Sequence, residues 1–177
     1  MNNQPAPLNI TDLLSLNTFF DAAADRVDTV DAYHLVSAGE DGTQEIQSLF
    51  EKSILSGQLV MIAQIAETPL TTNPTGLTRA TFACSVMVLK KMGGTALTAL
   101  AKLEARNDTW LRMLRFVGFV RTCAEYTASM ATENDEVEFS FNQERLLPVA
   151  RIGNANIQGW LVEIDVTIPV NHYLFPE

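Results

Sequence analysis

Acid–base, nucleophilic and metal chemistry each need several ionisable or coordinating side chains brought together, and this chain carries few of the usual ones. It has two histidines, His34 beside Tyr33 in a polar stretch and His172 near the C-terminal end. Neither belongs to a His-x-x-x-His pair, and neither neighbours a nucleophile in sequence. The chain contains no Gly-x-Ser-x-Gly elbow, Cys-x-x-Cys pair or phosphate-binding glycine loop, and Gly93-Gly94 is too short to wrap a nucleotide. Asp21, Asp25 and Asp28, at spacings of four and three, put three carboxylates on one face of a continuing helix. Such a face could hold a divalent cation, but a metal site usually draws ligands from more than one element, so a solvated face is the plainer reading. The expectation is a protein with no catalytic residue, no cofactor and no metal. A small enzyme whose site is assembled from distant residues is the rival reading.

Residues suited to binding stand out more. Arg112, Arg115 and Arg121 lie off the leucine stripe of a predicted helix, the first two about a turn apart. They could meet an acidic surface such as Glu163 and Asp165 on an adjacent copy, although arginines on a helix are commonly just solvated. Trp110 and Trp160 suit core or interface anchors better than base-stacking platforms. The polar connection over 69–76, with Thr71, Thr72 and Asn73, and the apolar tail, with Tyr173 and Phe175, are the next candidates for contacts between subunits.

A chain of 177 residues can bury roughly two-thirds of its unfolded surface, enough for one core without disulfides or metal. Hydrophobic residues make up 47% and charged residues 19%, a globular balance, and a single domain over 1–177 is expected, with a flexible arm at 1–8 and a tail at 170–177. No stretch reaches the roughly twenty apolar residues of a membrane helix, and the polar start lacks a basic n-region, so neither membrane insertion nor secretion is expected. Cys84 and Cys123 sit in apolar segments, as reduced core thiols do, with a bridge or a reactive role as the alternative. The net charge of −9 argues against nucleic acid as a specific partner. That charge is uneven. Residues 1–50 hold eight acidic groups and one basic, 51–130 hold five acidic and nine basic, and 131–177 hold eight acidic and two basic. A basic middle between acidic ends favours association through unlike patches.

These groups must be positioned by a series of elements. A helix capped at Asn9 is predicted to run to about Arg26 on Leu13, Leu16, Phe20 and Ala23, and a second from about Thr43 to Leu55. The apolar runs from Gln58 to Ala66 and from Thr78 to Leu89 read as strands covered on both faces. Two helical stripes follow, Leu97, Leu100 and Leu103, then Leu111, Leu114, Val117 and Val120, with a break and a new cap at Asn107 or Asp108. Both stripes are predicted to lie on the sheet. Three strands close the chain, over Val137 to Phe141, Leu146 to Ile152, and Trp160 to Ile168. The fold class expected is α+β, an antiparallel or mixed β-sheet with helices packed on one face.

The pattern of Phe82 to Lys91, a helix, Phe139-Ser-Phe-Asn, Leu147-Pro148-Val149, a Gly-Asn turn and Gly159-Trp160 through Pro169 resembles small structural proteins of phage and prophage morphogenesis regions in Bacteroidetes-like genomes. These are of the tail terminator or tail completion type. The similarity spans roughly residues 80–170 in the order of elements. It implies a virion protein assembled in the host cytoplasm, an α+β subunit that forms a ring, often hexameric, joining the tail tube to the neck or head. Partners would be copies of itself and neighbouring tail tube, sheath or neck/connector proteins, with DNA passing through the ring but not bound specifically. A non-enzymatic cellular adaptor or regulatory module is the alternative.

Overall fold

The segment from Leu59 to Ile65 is apolar at almost every position, so a strand made from it needs cover on both faces. The computed structural model, which describes residues 9–27, 30–72, 74, 76–93, 98–130, 137–141 and 146–170, supplies that cover from different helices. The elements run α1 (Leu13–Arg26), β1 (Ala32–Val36), α2 (Glu40–Lys52), β2 (Leu59–Thr72), β3 (Thr78–Lys91), α3 (Ala99–Met130), β4 (Glu138–Phe141), β5 (Leu147–Ile152) and β6 (Ala155–Pro169). Six strands form one mixed sheet in the order β1-β2-β3-β6-β4, with β5 also on β6. Only β1 and β2 are parallel, and α2 is the crossover that such a pair requires. The α+β class and the mixed sheet match the sequence expectation.

On one face, Leu16, Phe20 and Ala23 of α1 and Met113, Phe116 and Val120 of α3 close over Met61, Ala63, Val86, Val88, Val162, Ile164 and Val166. On the other, Ile46 and Phe50 of α2 close over Val36, Val60, Ile62, Met87, Leu89 and Ile157. Helices on one face is therefore right for α1 and α3 and needs correcting for α2. The alternation of β2 explains it: Met61 and Ala63 point to α1 and α3, while Val60 and Ile62 point to α2. Lys91 fixes the end of α2, donating from Nζ to the carbonyls of Phe50 and Ile54, where the helix carries its negative end.

Several boundaries move. Asp12, not Asn9, caps α1: its carboxylate accepts from the Ser15 amide at 2.7 Å, and Ser15 Oγ accepts from the Asp12 amide at 3.0 Å. The strands β2 and β3 extend to Thr72 and from Thr78, so the polar connection is shorter than 69–76. The strand β6 begins at Ala155, immediately after the Gly153-Asn154 turn, where Gly153 has φ 55°. Gly159 lies inside β6, between Leu89 of β3 and Val149 of β5.

The largest correction concerns α3. It is one helix of 32 residues, with no break at Asn107 or Asp108. Its buried stripe is Ala105, Thr109, Met113, Phe116, Val120, Cys123 and Thr127, at spacings of three and four. Of the two predicted core stripes only Val120 is buried and Val117 half-buried; Leu100, Leu103, Leu111 and Leu114 face outward, and Leu97 lies outside the described residues. The buried threonines are satisfied locally. Thr109 Oγ1 donates to the Ala105 carbonyl at 3.0 Å and Thr127 Oγ1 to that of Cys123 at 2.8 Å.

Candidate interaction surfaces

The outer side of α3 is apolar along its N-terminal half. Leu100 is 63% exposed, Leu103 64%, Leu111 44%, Leu114 41% and Trp110 39%. On a helix these residues fall roughly opposite the buried stripe, so α3 is apolar on both sides. Together the five leave on the order of 400 Å2 of apolar surface, within the range of the largest patch on a typical monomer. Leucine spacing alone cannot tell a face that meets the sheet from one that does not.

The three arginines of α3 separate in role. Arg112 is half-buried, joined to the Asp108 carboxylate and donating to the Asp108 carbonyl at 3.1 Å. Asp108 also accepts from Lys90 Nζ at 3.1 Å, so Arg112 belongs to a cluster that ties α3 to β3. Arg115 and Arg121 are exposed. The Arg121 guanidinium carbon lies 5.1 Å from the centre of the Phe141 ring, within cation–π range.

Glu163 and Asp165 sit on β6 between Val162, Ile164 and Val166, so they point to the face opposite α3. Glu163 is exposed and Asp165 half-buried. Within one copy the basic helix and the acidic strand face are therefore kept apart by the sheet. On this second face α2 covers Met87, Leu89 and Ile157, while the far half presents Ala66, Thr81, Ala83 and Thr167 only half-buried beside the two carboxylates. Thr81 and Thr167 hydroxyls meet there at 3.0 Å, and Arg79 pairs with Glu138 across the strand ends. Thr71 and Thr72 are exposed at the tip of β2, Thr72 sharing a hydrogen bond of 3.0 Å with Thr78. Asn73, Tyr173 and Phe175 lie outside the described residues.

A groove of about 380 Å3 between β1 and α2 gathers His34, Leu35, Glu45 and Ser48, a neighbourhood that sequence reading did not find because β1 is too short to show a pattern. Glu45 accepts from the Ser37 amide at 2.8 Å and from its hydroxyl at 3.0 Å. Among the described residues no group of three or more His, Cys, Asp or Glu could hold a metal ion, and Asp21 and Asp25 are exposed. Asp28 lies outside the described residues. Cys84 is buried, and removal from water together with the nearby Asp165 charge pushes its thiol up to about 12; burial also raises the Cys123 thiol. No helix among the described residues is long and apolar enough to cross a membrane.

No family model matches the chain, and no curated protein is significantly similar to it.

Proposed function

We propose that this chain is a structural protein of a phage tail or neck, a tail terminator-like ring subunit that joins the tail tube to the head or connector by binding copies of itself and neighbouring tail and neck proteins. The observation that carries the self-assembling part is the apolar outer side of α3, a surface of leucines that costs free energy while it faces water. The virion assignment draws on the resemblance over residues 80–170. The separation of basic and acidic groups supports the ring. Arg115 and Arg121 lie on one side of the sheet and Glu163 and Asp165 on the other, so these two groups can approach each other only between copies, head to tail, as in a closed ring.

The test is solution mass by light scattering across protein and salt concentration, with electron microscopy of the largest species. Rings, or mass that grows with concentration, are the expected result, and Glu163→Lys should abolish species larger than a pair. A wild-type protein that remains a monomer at every concentration and salt would overturn the reading.

A further inference from the structure

Leu100, Leu103, Asn107, Leu111, Leu114 and Gly118 fall on a nearly straight line along α3, because the 18 steps from Leu100 to Gly118 make about five full turns, roughly 27 Å of helix. We infer that this line is a two-fold interface: α3 of one copy lies antiparallel against α3 of a second copy. The inference rests on the self-association part of the proposed function, and it names the surface and the symmetry.

Three features of the line select a second copy in this orientation. The first is shape. With the two-fold axis near residue 109, Leu100 stands over Gly118 of the other copy, and a Cβ at Gly118 would meet nothing within 4 Å of its own chain. The glycine thus leaves room for a leucine, while Leu103 meets Leu114 and Asn107 meets Leu111. The second is charge. Glu104 and Arg115 are both exposed and lie on the same flank of the line, Glu104 toward the N-terminal end and Arg115 toward the C-terminal end. Antiparallel pairing brings flanking residues of the same side together, so each Glu104 meets an Arg115, twice per pair. In a parallel two-fold pair the flank that carries Glu104 and Arg115 would face the opposite flank of the other helix at equal height, so neither charge would meet its complement. The third is area. About 400 Å2 from five apolar side chains is half of the roughly 800 Å2 each partner contributes to a stable complex, and the flanking polar residues add the remainder.

Sedimentation velocity over a wide concentration range tests this with four variants. Leu111→Glu should weaken pairing at least 100-fold while far-ultraviolet circular dichroism stays native, since Leu111 takes no part in the core. Glu104→Arg and Arg115→Glu should each weaken it on the order of tenfold, and the double swap, Glu104→Arg with Arg115→Glu, should return it to within a few-fold of wild type. A double swap no stronger than the single changes would overturn the antiparallel register. Undiminished association of Leu111→Glu would overturn the α3 interface and leave the ring reading standing on the separation of charges and the resemblance alone. A wild-type protein monomeric at every concentration would overturn both.

Discussion

A methyl group at position 159 would lie 2.3 Å from the Val88 carbonyl oxygen and 2.6 Å from a methyl of Leu89. Gly159 is thus required by close approach between β6 and β3, since the obstructing oxygen belongs to a backbone held on both sides by ladder bonds. Gly159→Ala should lower stability by about 1–3 kcal/mol, read by urea unfolding. Cys84 acts through protonation. Its thiol titrates near 9 when unfolded and near 12 when folded, so above about pH 9 the unfolded chain loses a proton that the folded chain keeps. Stability is full below pH 9 and falls as pH rises, by up to about 1.4 kcal/mol per unit until the folded thiol also ionises. Burial raises Tyr33 as well, which adds the same sign of slope at higher pH. Burial raises the Cys123 thiol too, so Cys84→Ala should reduce but not abolish the alkaline loss that begins near pH 9, leaving the later part in place, as followed by denaturant unfolding from pH 8 to 11.

At the scale of elements, α3 carries two apolar faces with opposite fates. Phe116 is wholly buried against Phe20, ring centres 6.2 Å apart, whereas Leu111 is 44% exposed. Phe116→Ala should cost about 3–5 kcal/mol and Leu111→Ala less than about 1 kcal/mol in the monomer, measured by thermal or urea unfolding at low concentration. Equal costs would mean that the leucine face packs on the sheet. This helix also marks the limit of what the residues announce. The strands β2, β3 and the upper part of β6 are legible because an apolar run or a strict alternation has only one geometry that buries it. The buried face of α3 is not, because four of its seven buried positions are alanine, cysteine and two threonines whose hydroxyls bond back to the helix, while its exposed face holds the leucines. The side on which α2 lies follows from a crossover between β1 and β2, and five residues of β1 give too little pattern to predict that pair. For the candidate surfaces the residue types were legible and their grouping was not: Arg112 is spent on Asp108, and the face that holds Glu163 depends on the register of β6.

For the whole molecule the two proposed contacts differ in physical origin, and salt separates them. The α3 pair is mainly apolar, so screening weakens its two Glu104–Arg115 contacts but leaves the leucine contact that makes up most of it. A head-to-tail contact between Arg121 and Glu163 or Asp165 is made by exposed or half-exposed groups, and it is opposed by the self-repulsion of a subunit of charge −9. Screening acts on both terms. The attraction is local, between groups a few ångströms apart in a partly desolvated contact, whereas the repulsion is spread over the molecule and is already damped beyond a Debye length of about 10 Å at 0.1 M. Going from very low salt to about 0.1 M should therefore help assembly by removing long-range repulsion, and going on to about 1 M, where the screening length is about 3 Å, should dissolve larger assemblies and leave pairs. Light scattering over that range should show mass rising, then falling to twice the subunit mass. A fall directly to the monomer would mean that the Glu104–Arg115 contacts, and not the leucines, hold the pair, and mass unchanged throughout would mean that the ring contact is not electrostatic.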